Sequence, residues 1–96
     1  MIKITDVSMD SDSVNSQTRE LTSSDAELEL AQELFYGDLI LQKDGGMLRV
    51  QSDLVIKVFS GDPTCLAKLH ALVDMCTQAR GVTFDSKGWA HLPKFN

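Results

Sequence analysis

Apolar and polar positions along this chain follow two different periods. Between Ala26 and Phe35 the apolar residues Ala26, Leu30, Leu34, Ala31 and Phe35 recur at helical spacing, and Leu28 widens their arc. Ser24-Asp25-Ala26-Glu27 fits a capping box, and Gly37 supplies a left-handed stop, so the spacing predicts a helix over 24–36. A second helix is predicted over 63–80. Asp62 caps it, Pro63 sits where a missing N–H costs nothing, and Cys65, Leu66, Leu69, Leu72, Val73, Cys76 and Ala79 form its apolar stripe.

Between the helices the period drops to two. Asp38–Lys43 and Met47–Gln51 read as strands around Asp44-Gly45-Gly46, and Leu54–Phe59 reads as a third strand after the break at Ser52-Asp53. Val82–Phe84 and Trp89–Leu92 read as a closing short hairpin. Connections this short favour antiparallel pairing. The predicted class is α+β: helix, three antiparallel strands, helix, short hairpin, with the two helices packed on one face of an antiparallel sheet.

Ahead of this block the pattern fades. Residues 8–24 are rich in serine and aspartate, with only Met9, Val14 and Leu21 apolar. Too little apolar surface is available there to offset ordering entropy, so residues 1–23 read as a flexible or loosely ordered polar arm. Residues 24–96 then form a single α+β domain. Met1-Ile2-Lys3-Ile4 leads into Asp6 and serines, not into an apolar core, which predicts no targeting segment.

In the sheet, the alternation assigns Leu39, Leu41, Leu48, Val50, Leu54, Ile56 and Val58 to the helix-covered face. The opposite face then carries Ile40, Val55 and Phe59 beside Gln42, Arg49 and Lys57. A cluster of apolar residues on an uncovered face predicts a contact surface.

Charge narrows the choice of partner. Residues 1–38 hold nine acids against Lys3 and Arg19, whereas residues 39–96 hold five acids against seven basic groups; the net charge is −5. Affinity for nucleic acid comes largely from Lys and Arg displacing counterions, so direct nucleic-acid binding is disfavoured. On the first helix Asp25, Glu29 and Glu33 fall at i, i+4, i+8, a row of like charges that slightly destabilises its own helix. Such a row suits a basic partner surface, with the carboxylates standing in for phosphates.

The search for chemistry yields little. Cys65 and Cys76, eleven apart in one helix, are separated by about 16 Å and cannot bridge, so free thiols in a reducing cytoplasm are expected. Cys65, His70, Cys76 and His91 lack the spacing of zinc ligands, and no metal or cofactor is predicted. Neither glycine-containing loop has the spacing of a phosphate loop. The second helix lacks the basic face of a membrane-surface helix, and no run is long enough to span a bilayer. A small enzyme would have to gather His91, Cys65 or Ser60 in one place.

The order helix–three strands–helix resembles that of double-stranded-RNA-binding domains, without their basic second helix. Over residues 24–92 the fuller order resembles that of small acidic secretion chaperones, minus their final helix, and this resemblance implies dimerisation through sheet or helix surfaces. The acidic α+β character is also similar to small phage-encoded inhibitors that occupy nucleic-acid-binding surfaces. The sequence therefore predicts a non-enzymatic acidic protein-binding module, acting by homodimerisation or as an inhibitor or adaptor. Asp25, Glu29, Glu33, Ile40, Val55 and Phe59 are its expected partner-binding residues.

Overall fold

The computed structural model describes residues 1–9, 14–36, 38–52 and 55–93. The side chains of Met9, Val14 and Tyr36 lie outside that description. Two helices and a six-stranded antiparallel sheet make an α+β fold. The elements run β1 (Ile2–Met9), β2 (Val14–Leu21), α1 (Ser23–Tyr36), β3 (Leu39–Asp44), β4 (Met47–Ser52), β5 (Val55–Gly61), α2 (Pro63–Ala79) and β6 (Trp89–Leu92). Across the sheet the order is β2-β1-β5-β4-β3-β6.

The amino-terminal segment departs most from the sequence reading. Residues 2–9 and 14–21 form a hairpin, with Ile2 opposite Leu21 and Met9 opposite Val14. Strand β1 also pairs with β5, from Ile2 opposite Gly61 to Ser8 opposite Val55. Ile2 and Ile4 are fully buried, so the segment supplies core and is not an arm. Two isoleucines anchor β1, and each paired strand satisfies the backbone groups that an isolated polar segment would leave to water.

Helix α1 starts one residue earlier than predicted and is capped by Thr22, not Ser24. The Thr22 hydroxyl accepts from the Asp25 N–H at 3.2 Å, and the Thr22 carbonyl accepts from Ala26 at 3.0 Å. The predicted stop at Gly37 lies outside the described residues. Helix α2 matches its expected bounds closely. Asp62 caps it by accepting from Thr64 and Cys65, and these N–H bonds hold the carboxyl below its ordinary pKa. At the other end Gly81 takes a φ of +73°. Its N–H reaches the Gln78 carbonyl while Val82 reaches Thr77, a Schellman closure.

Buried residues place the core between the helices and one face of the sheet. Ile2 and Ile4 (β1), Leu39 and Leu41 (β3), Leu48 and Val50 (β4), Phe59 (β5) and Leu92 (β6) face Leu30, Leu34, Leu66, Leu69 and Val73 of the helices. The expected inward positions on β3 and β4 are those observed. On β5 the parity is reversed: Phe59 lies opposite Leu48 and Ile4, so Phe59 and Lys57 point to the helices while Ile56 and Val58 point away. Leu54 lies outside the described residues.

The closing hairpin is also replaced. Val82–Phe84 forms no strand, and β6 instead pairs with β3, with Ile40 opposite His91 and Gln42 opposite Trp89. The turn before β6 is held by Asp85, whose carboxylate accepts from the Lys87 and Trp89 N–H groups. Gly88 (φ +81°) lies against the Lys43 backbone, where a Cβ would collide with the Lys43 carbonyl oxygen. Gly88→Ala is therefore expected to lower stability by about 1–3 kcal/mol, read by urea titration; an unchanged midpoint contradicts that packing.

Candidate functional site

Strand register defines the face of the sheet that points away from both helices. One row across it runs Thr18, Thr5, Val58, Arg49, Gln42, Trp89, and the next runs Ser16, Val7, Ile56, Gln51, Ile40, His91. Met47 adds an apolar group beside them, opposite Asp44. Among the described residues no helix lies on this face. Val7, Ile56, Val58 and Trp89 are half-buried by their own row neighbours, and Ile40 and Met47 remain exposed, at 37% and 43%. The result is two apolar clusters, Val7 with Ile56 and Val58, and Ile40 with Trp89, separated by Arg49 and Gln51 of β4.

Of the three apolar residues expected on this surface, the structure keeps Ile40. Phe59 is at 0% exposure in the core. Val55 is exposed, but its parity sets it on the helix side of the sheet, opposite Ser8 and Ser52. Val7, Ile56, Val58 and Trp89 are the residues that sequence reasoning missed. Leu-Val-Ile-Lys-Val-Phe is apolar on both faces, so alternation alone gives it no direction; the hydrophobic contrast that fixes register elsewhere is absent.

The acidic row has a different role from the one expected. Asp25 is exposed in the first turn of α1. Glu29 and Glu33 lean onto the sheet, where Lys57 lies 2.9 Å from Glu29 and 3.1 Å from Glu33. Arg19 of β2 bridges Asp6 at 3.2 Å and also pairs with Glu29. Burial by itself would raise the Glu29 pKa, but hydrogen bonds from Arg19 and Lys57 outweigh it and hold the carboxyl below its ordinary value. Burial likewise opposes charge on Lys57, and its bonds to Glu29 and Glu33 reverse that and raise its pKa. These two glutamates hold α1 to the sheet instead of presenting a free anionic strip.

A pH dependence follows with a fixed sign. Glu29 binds protons less readily folded than unfolded, so its contribution to stability is present above the ordinary glutamate pKa. It is lost as pH falls through the lowered folded value. Lys57→Ala leaves Glu33 without its cation and Glu29 with Arg19 alone, and is expected to cost about 1–3 kcal/mol at neutral pH. Thermal melts from pH 7 to 3 check both statements: a Lys57→Ala variant as stable as wild type at neutral pH overturns them.

The groups a small enzyme would need are not brought together. Ser60 and His91 both lie on the open face, but β5 and β6 are three strand spacings apart, about 14 Å. Cys65 packs against the core from α2, on the other side of the sheet. Cys65 and Cys76 are both free and partly buried. Among the described residues no cluster of His, Cys, Asp and Glu has metal-binding geometry. The basic residues are equally dispersed. Lys43 pairs with Asp74 at 2.6 Å and sits 5.0 Å from the Phe84 ring, Lys57 faces α1, and Lys87 lies in the final turn, leaving Arg49 and, opposite Ser60, Lys3 on the open face.

No protein-family model, curated protein or solved structure matches the chain. Among the described residues, no helix is long and apolar enough to cross a membrane. What remains as a candidate site is a surface: the open face centred on Val58, Ile56, Ile40 and Trp89.

Proposed function

We propose that this protein is a non-catalytic protein-binding module whose docking platform is the open face of its sheet. One observation carries the reading: a six-stranded sheet has its helices on one side and displays Val7, Ile40, Met47, Ile56, Val58 and Trp89 on the other. Antiparallel sheets tolerate a solvated face, but such a face is ordinarily polar at alternate positions. Val7, Ile56 and Val58 form one apolar cluster and Ile40 with Trp89 a second, with Arg49 and Gln51 between them. Apolar clusters in a polar frame have the composition of an interface core with its rim.

The acid row is not part of this platform. Glu29 and Glu33 are engaged by Lys57 and Arg19, so phosphate mimicry loses its basis, and any charge attraction to a basic partner comes from the overall −5. The expected consequence is specific. An Ile40→Asp/Val58→Asp variant keeps a cooperative thermal transition, because neither side chain belongs to the core, and loses co-purification of its partner from cells. A doubly substituted protein that retains both its fold and its partner eliminates the platform.

A further inference from the structure

A second apolar surface lies on the far side of the molecule, outside the proposed platform. Helices α1 and α2 run parallel, since each follows a strand that ends beside Ile2. Residues 24–31 of α1 and 68–75 of α2 line one groove, and the Arg80 guanidinium donates to the Leu34 carbonyl at 2.5 Å near their carboxy-terminal ends. The groove floor is Ala31, Ala71 and Leu72, flanked by Leu28 and Met75, which are 61% and 65% exposed. Leu72 packs partly against the core, while Leu28 and Met75 face away from the sheet, since Ala26, Leu30 and Leu34 and Leu66, Leu69 and Val73 take the inward positions. At the amino-terminal end of the groove Glu27 stands on the α1 side and Lys68 on the α2 side. Neither forms an ion pair among the described residues, so both side chains are open to an outside partner.

We infer that this groove is the interface with a second copy of the chain. The helix direction and the two rim charges select that occupant. Because α1 and α2 are parallel, a two-fold axis along the groove lays α1 of one copy over α2 of the other at the same level. Glu27 then meets Lys68 of the second copy, and Lys68 meets its Glu27, so the charge complement is made twice by one symmetry operation. Small Ala31 and Ala71 let the backbones approach, and Leu28 and Met75 interdigitate across the axis. A two-fold set across the helices instead stacks each helix on its own copy and loses the pairing. The open sheet faces point outward from both sides of such a dimer and stay available, so this inference goes beyond the platform reading and does not depend on it.

Charge swaps test it with light scattering on the full chain. Wild type is expected at twice the 10.6 kDa chain mass. Glu27→Lys alone and Lys68→Glu alone each set like charges against each other twice and are expected to weaken the dimer at least tenfold. Mixing these two single variants restores both pairs and is expected to return the dimer mass, as is the double variant carrying both changes. A monomeric wild type at high micromolar concentration overturns the inference, and so does failure of the mixed singles to associate. Ile40→Asp/Val58→Asp leaves the dimer mass unchanged, which separates failure here from failure of the sheet platform; conversion of that variant to a monomer contradicts the groove as the interface. Circular dichroism on each single variant confirms that any loss of mass is not loss of fold.

Discussion

Removing residues 1–21 is expected to abolish cooperative folding. The deletion takes out β1, which sits between β2 and β5 in the sheet and contributes Ile2 and Ile4, both at zero exposure. Burying one isoleucine is worth about 1.5–3 kcal/mol. Two of them together with two backbone ladders reach a large share of the 5–15 kcal/mol by which a small domain is stable. The loss also opens Phe59, whose neighbour across the β1 ladder is Ile4, and removes Arg19 and Asp6 from the charge network around Glu29. A thermal melt of residues 22–96 should be broad and its amide spectrum poorly dispersed. A sharp transition near the wild-type temperature contradicts a six-stranded fold and restores the picture of an arm beside a complete domain.

The second large effect concerns adjacent residues on β5. Phe59→Ala is expected to cost about 3–5 kcal/mol, as for other fully buried aromatic side chains truncated to alanine. For a chain of this size that lowers the melting temperature by well over ten degrees. Val58→Ala, one residue away and on the opposite face, is expected to cost less than about 1 kcal/mol, because only a half-buried valine is shortened. The contrast is the informative quantity, since strand parity is what separates the two positions. Equal effects, or a larger one at Val58, place β5 the other way round and move Phe59 back onto the open face.

Much of the fold was legible where residue chemistry gave direction. Helix α2 carried an Asp-Pro start and a glycine stop, and the β3–β4 hairpin carried Gly45-Gly46 between clean alternations; both stand at nearly the expected bounds. The first strands were hidden because their stabilisation is non-local. The polar β2 is held by pairing with β1, and β1 by two isoleucines reaching a core assembled from residues 26–92. The parity of β5 was hidden because both of its faces are apolar, and Lys57, read as an outward charge, is drawn inward by Glu29 and Glu33.

That ion pair also left a trace in the sequence. Three acids at i, i+4, i+8 are unfavourable on an isolated helix, and a countercharge from another element is one way to relieve them. On sequence alone the row suits an outside partner; in the fold, Lys57 and Arg19 answer two of its three members. Of the expected site residues, Ile40 keeps an open-face position and Asp25 remains exposed, while Glu29, Glu33, Val55 and Phe59 take other roles.

Site-specific photo-crosslinking in the native cell addresses the docking platform most directly. A photoreactive phenylalanine analogue placed at Ile40, Val58 or Trp89 should yield a discrete adduct to a protein other than a second copy of this chain, and the same group at Thr64 or Gln78, exposed on α2, should yield no such heterologous adduct. Adducts confined to the helix positions, with nothing captured from positions 40, 58 and 89, would show that the helix-free side of the sheet is only a solvated surface.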